Sequence, residues 1–211
     1  MHPRKKVILL TLTGFLAILA MAAIFRAVAA PKQISFDPNS CPSIGNENAR
    51  IEMVLFEDFA CPSCHRFMSD IFPKIEAAYI ESGLAKFVLI PIVIHEKSKV
   101  VANAVLEIQA QAPQLVFPFL YRLIQEFGDR DPTELELTRL AASMGGIRIV
   151  DFAAGLRLGR YDEQLSENFQ LAKVAMKKDL KTPTLFINGS MIHILSFQAI
   201  SERVDRIGAL N

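Results

Sequence analysis

The chain has 211 residues, 51% of them hydrophobic, and a formal net charge of +1. Such a length suits one domain, or one domain with an insertion, around a substantial core. The near-neutral balance gives no reason to expect a nucleic-acid partner or a polyanionic substrate.

The basic start MHPRKK precedes an uncharged apolar run over residues 7–25, then Arg26 and AVAAPK. Basic residues ahead of an apolar segment direct the downstream chain out of the cytoplasm. Ala27-Val28-Ala29 offers a cleavage pattern. The run is long for a signal peptide and close to bilayer-spanning length. Residues 1–30 therefore read as a signal peptide or membrane anchor, with the uncleaved anchor preferred. Either places the remainder in the periplasm or on the extracytoplasmic face of the membrane, where disulfides persist.

Residues 31–50, rich in Pro, Asn, Ser and Gly, read as a linker. IEMVLFED (51–58) reads as a buried strand. A helix is expected from the next cysteines to about Ser82-Gly83, kinked or restarted at Pro73. AKFVLIPIVI (85–94) is a second buried strand. Helical spacing then governs Val100, Val101, Ala104, Val105 and Ile108, and again Val116, Phe119, Leu120, Leu123 and Phe127. Asp131-Pro132-Thr133-Glu134 predicts a helix start, with Asp131 as N-cap and Glu134 completing a capping box. Another amphipathic helix is expected over 162–180. Two apolar runs around Asn188-Gly189 predict a hairpin, and Ser196 can cap a last helix through Arg206. The order predicts an α/β core, 51–95 with 162–211, around a helical insertion at 96–161.

FEDFACPSCHRF (56–67) carries two of the three cysteines, Cys61 and Cys64. A structural zinc site needs four ligands. Cys41 and the scattered His2, His65, His95 and His193 supply no such pattern, so no metal is expected. Cys61 falls where a strand gives way to a helix, and Pro62 suits the first helical turn. The sulfur then meets free backbone N–H groups and the positive end of the helix dipole, which favour thiolate over thiol. Cys64, one turn on, is placed to attack a mixed disulfide on Cys61. An inert thiol pair or a static disulfide is the bland alternative.

FEDFACPSCHRF, with KTPTLFING far downstream, resembles the DsbA-like family of exported thiol–disulfide oxidoreductases. The likeness covers roughly residues 42–211. It implies a thioredoxin fold with an inserted helical domain. It implies catalysis by Cys61 and Cys64, an active-site motif completed by Pro62, Ser63 and His65, and substrate binding at Thr182 and a cis Pro183. Read from the residues alone, Pro183 suits a trans proline at a strand start equally well. No cofactor is implied beyond a redox-active Cys61–Cys64 disulfide. The implied partners are unfolded or partly folded exported proteins and a quinone-linked membrane oxidase.

Three features depart from the family pattern. Members often bury an acid within the first strand, where this chain has Met53-Val54-Leu55-Phe56. Glu57 or Asp58 could substitute from the strand's end, but both are expected to be solvated. Lys181 stands where glycine is frequent, as a surface lysine or as a cation near the thiolate. Cys41 has no counterpart, and an odd exported cysteine suggests a free thiol or an intermolecular bond. His65 reads either as a solvated side chain or, when protonated, as a further aid to the Cys61 thiolate. His95 and His193 read as ordinary strand-end residues.

The expected function is introduction of disulfides into newly translocated proteins. Alternatives are an isomerase or reductase with the same site, and a thioredoxin-fold chaperone whose cysteines are static. A glutathione-transferase relative is disfavoured by the paired cysteines and the export signal. Related isomerases resemble dimers built through a separate N-terminal domain. Only the linker precedes Ile51, so a monomer is expected.

Overall fold

The computed structural model describes residues 41–128 and 130–209, together with residues 18, 20 and 21. Apart from those three residues, the expected signal or anchor lies outside the described residues, as does the first part of the linker. Five strands form one sheet in the order β1-β3-β2-β4-β5: β1 (Ser43–Gly45), β2 (Ile51–Glu57), β3 (Ala85–Pro91), β4 (Thr184–Ile187) and β5 (Ser190–Ile192). Strands β2 and β3 run parallel and the other pairs antiparallel. A parallel pair requires a crossover, here a helical segment that begins at the cysteines.

That segment opens with α1 (Pro62–Arg66) and continues through a wide turn, Phe67–Ile71, into α2 (Phe72–Ile75) and a second wide turn, Glu76–Ile80. Pro73 restarts it. Proline cannot donate to the carbonyl one turn back, and the N–H of Phe72 reaches five residues back to Phe67 instead. Residues between the two sheet halves form α3 (Lys99–Gln111), α4 (Val116–Phe127), α5 (Glu134–Met144), α6 (Ile149–Leu158) and α7 (Asp162–Met176). The final helix, α8 (Phe197–Ala209), is capped by Ser196, whose Oγ accepts from the N–H of Ala199 at 3.2 Å.

Two expectations are corrected. The segment read as a linker contributes β1, paired with β3 from Ser43↔Val88 to Gly45↔Lys86. Its Pro, Ser and Gly content hides a strand that exists only through this pairing. Gly45 has a φ of +109°, and a Cβ there would lie 2.4 Å from the Ala85 carbonyl oxygen. The N-cap of α5 is Thr133 rather than Asp131, and its capping-box partner is Glu136 rather than Glu134. Thr133 has the extended backbone a cap requires. Its Oγ1 accepts from the N–H of Glu136, while Glu136 Oε2 accepts from the N–H of Thr133. Asp131 pairs instead with Lys97 at 3.0 Å.

One core joins sheet and helical block. All seven residues of β3 are buried. Phe72 lies 4.7 Å from Phe87 of β3 and stacks at 5.4 Å on Phe117 of α4, ring centre to ring centre. Tyr121 of α4 donates to Glu76 beyond α2.

Asn188-Gly189 closes the hairpin with φ of +46° and +74°, the signs of a type I′ turn. The Asn188 side chain also ties this turn to the start of β2, accepting from the Glu52 N–H at 2.7 Å and donating to the Arg50 carbonyl at 3.2 Å. Asn188→Gly keeps the turn's backbone and removes both bonds. Urea unfolding should show a loss of about 1–2 kcal/mol; an unchanged midpoint would show the tie is idle.

Candidate active site

Strand β2 ends at Glu57, and four residues turn the chain into α1. The N–H of Cys61 closes that turn on the Asp58 carbonyl at 2.9 Å. Cys61 is the N-cap of α1, extended at φ −88° and ψ 118°, and Pro62 follows in the first turn. The sulfur is therefore half-exposed at a helix start, while Cys64 one turn on is fully buried. The structure holds the two as thiols rather than as a disulfide.

Their surroundings drive the two groups apart. Cys61 is lowered from an ordinary 9.0 to about 5. The hydrogen bond from the Cys64 thiol is the largest cause. Desolvation opposes it, and the backbone N–H of Cys64, the Thr182 side chain and the backbone N–H of Ser63 assist. Cys64 is pushed strongly upward, first by burial, then by the bond it gives to Cys61 and by the nearby Glu57 charge. One sulfur therefore carries the negative charge and the other keeps the proton.

The Thr182–Pro183 peptide bond is cis, and this pair immediately precedes β4. The Cys61 Sγ lies 3.4 Å from the Thr182 carbonyl oxygen. Thr182 meets the sulfur in two ways. Its carbonyl accepts from the thiol form, while its side chain favours the thiolate. The net direction is toward thiolate because the neighbouring thiol and the N–H groups act together with that side chain. Ser63 accepts from Arg66 Nη2 at 2.9 Å, one turn along.

The expectation of solvated acids is overturned. Glu57 is 1% exposed and Asp58 0%. Burial raises the Glu57 carboxyl well above its ordinary value, and the negative charges at Cys61 and Asp58 add to the effect. Its Oε2 has no hydrogen-bond partner among the described residues. The signal was present in the strand's period. Met53 and Leu55 are fully buried, and alternation carries that face on to Glu57.

His65 is half-buried, and its Nε2 lies 2.6 Å from the Phe59 carbonyl, which accepts from it. It belongs to the turn and is more than a solvated side chain. His95 follows β3, with its backbone N–H on Asp58 at 2.8 Å; His193 is exposed beyond β5. Lys181 is exposed, and its carbonyl accepts from the Thr184 hydroxyl at 2.8 Å. Cys41 is 0% exposed. An intermolecular bond, one of its two expected uses, would need the sulfur to leave the core.

A dithiol with one acidified sulfur at a helix start, beside a cis proline in a sheet with a helical insertion, defines a DsbA-like thiol–disulfide oxidoreductase. The chain belongs to the thioredoxin family, whose family model matches residues 39–206. It is similar to the disulfide bond formation protein D of Bacillus subtilis (strain 168), being 29% identical over 171 residues that cover 78% of this chain and 76% of that one. Among solved structures, oxidised BdbD from Bacillus subtilis superposes with a TM-score of 0.72 at 27% identity, covering 80% of this chain and 92% of that chain. Chlamydia trachomatis DsbA shares the fold with a TM-score of 0.73 at 24% identity, over 81% and 93% of the two chains.

Ultraviolet titration of the reduced protein should show one thiolate forming with a midpoint of about 5. Because the folded value lies below the unfolded one, Cys61 contributes stability that is complete above pH 9.0 and disappears as pH falls through about 5. The stability difference between the reduced protein and Cys61→Ser should therefore grow across that window. A flat difference would show that the thiolate is not selectively stabilised by the fold.

Proposed function

We propose that the protein is an extracytoplasmic disulfide oxidase that transfers its Cys61–Cys64 bond to newly translocated proteins. The observation that carries this reading is the lowered Cys61 thiol beside the raised Cys64 thiol. Stabilising a thiolate stabilises the reduced pair and makes the disulfide a stronger oxidant. The relative named disulfide bond formation protein D supports the same direction, and the apolar N-terminal run supports export.

The exchange is a consequence of the two environments. A substrate thiolate attacks the half-exposed Cys61 sulfur. The Cys61–Cys64 bond breaks, and its electron pair passes to Cys64, which takes up a proton. Glu57 is the nearby buried acid able to donate it. A second substrate thiolate then attacks the substrate sulfur of the mixed disulfide, and Cys61 leaves as the stabilised thiolate. The substrate loses two electrons and the pair gains two. Backbone at Thr182 and Pro183 offers an edge along which an extended substrate chain pairs, since the Thr182 carbonyl is 3.4 Å from the reacting sulfur. Return to the disulfide requires an electron acceptor, for which a quinone-linked membrane oxidase is the proposed partner. The working unit is a monomer.

Equilibration of the protein with glutathione, read by thiol labelling, should yield a strongly oxidising potential, nearer the roughly −120 mV of oxidases than the roughly −270 mV of cytosolic reductants. A value at the reducing end would overturn the oxidase reading. Glu57→Gln tests the proton donor. A raised carboxyl costs nothing below 4.5 and increasingly destabilises the fold as pH rises above it. The variant should therefore gain stability over the parent at neutral pH. Its first exchange step should slow, while the Cys61 titration midpoint stays near the parent value. Unchanged exchange kinetics would remove Glu57 from the mechanism.

A further inference from the structure

Beyond its charge, which helps raise Glu57, Asp58 has no assigned part in the exchange, yet its buried side chain is heavily bonded beside the pair. Its Oδ1 accepts from the Ala60 N–H at 2.9 Å. Its Oδ2 accepts from two N–H groups of the loop after β3, Ile94 at 2.6 Å and His95 at 2.8 Å. The His95 ring nitrogen Nδ1 lies 3.4 Å from the same oxygen. The Asp58 carbonyl accepts from the Cys61 N–H.

The parallel ladder explains why those bonds matter. Glu57 stands opposite Pro91, and its carbonyl accepts from the Ile92 N–H at 2.8 Å. In a parallel pair the next such bond would run from Ile94 to the carbonyl of residue 59. The chain has already turned away there. The Ile94 N–H goes to the Asp58 carboxylate, and the released Phe59 carbonyl accepts from His65 Nε2 at 2.6 Å. Two exchanges of partner thus let the strand end early while the Ile94 N–H and the Phe59 carbonyl each keep a hydrogen bond.

We propose that the Asp58 carboxylate is the positioning group of the redox site, standing in for a missing strand carbonyl so that β2 turns early and sets Cys61 at the helix start beside Thr182. This rests on the pair being redox-active. It adds that the geometry of the nucleophile is held from the β3 side of the sheet, by a group that touches neither sulfur through its side chain. Ile94, 42% exposed on the loop so anchored, is held in a fixed position by the same carboxylate.

The full chain is compared with Asp58→Asn and Asp58→Ser. Asparagine turns an NH2 group toward backbone donors; serine can keep the short bond to Ala60 but falls short of Ile94 and His95. Three quantities are read: the Cys61 titration midpoint, the glutathione equilibrium constant, and amide hydrogen exchange at Ile94 and His95. Folded variants should show exchange accelerated at both amides. The thiolate midpoint should be higher by about one pH unit, and the equilibrium constant shifted about tenfold toward a weaker oxidant. Variants that melt earlier but keep the parental midpoint and equilibrium constant would reduce Asp58 to a structural residue and overturn the proposal, as would failure of both to fold. The parent's own equilibrium constant separately reports whether the oxidase reading holds.

Discussion

A single shared proton governs this site. Cys64 is sealed from solvent, so its ionisation is opposed by desolvation, and its thiol is directed at Cys61. Cys61 sits half-exposed where a neighbouring thiol, two backbone N–H groups and the Thr182 side chain converge. Asymmetry of burial between two residues three apart separates the two sulfurs in the way the proposed nucleophile and resolving group require. Reactivity then follows from the pair itself, because the half-exposed sulfur is open to attack when it is part of a disulfide and leaves as a thiolate of low proton affinity.

That asymmetry is a product of topology. A helix can bury its second turn and expose its first only if it starts at the rim of the sheet. The β2–α1 junction lies at that rim because β2 is central, flanked by β3 and β4. The same arrangement brings residue 182 next to residue 61, since β4 pairs with β2 from Thr184↔Phe56 onward. The hairpin turn secures that pairing from the far end, where Asn188 is bonded to Glu52 and Arg50.

Much of this was legible in the residue pattern, because the signals were local. Continuous apolar runs marked β2 and β3, Asn188-Gly189 marked the hairpin, and Cys-Pro-x-Cys after a strand marked the helix start. What escaped depended on partners distant in sequence. β1 has no strand-like composition and takes its form from β3. Asp131 was an adequate cap in isolation, but its carboxylate is engaged by Lys97 from another element. Glu57 and Asp58 read as polar residues at a strand's end, where solvent is the default. The alternation of β2 carried the signal for Glu57, whereas only the loop after β3 reveals that Asp58 does not reach water.

The two neighbouring acids show how one environment assigns opposite duties. Both are buried beside the same sulfurs. Asp58 is surrounded by backbone N–H donors on both oxygens, which satisfies a carboxylate and fixes it. Glu57 keeps an oxygen without a partner among the described residues, which penalises its charge and leaves it able to hold a proton. A fixed acceptor suits the positioning role proposed for Asp58, and a poorly solvated acid suits the proton exchange with Cys64 proposed for Glu57. The helical block reinforces the joint: Asn168 of α7, itself buried, donates to the Pro91 carbonyl at 2.9 Å. The end of β3 is thus held by β2 through Ile92, by Asp58 through Ile94 and His95, and by α7 through Pro91. A helical block that supplies neither cysteine therefore takes part in holding the frame on which their unequal chemistry depends.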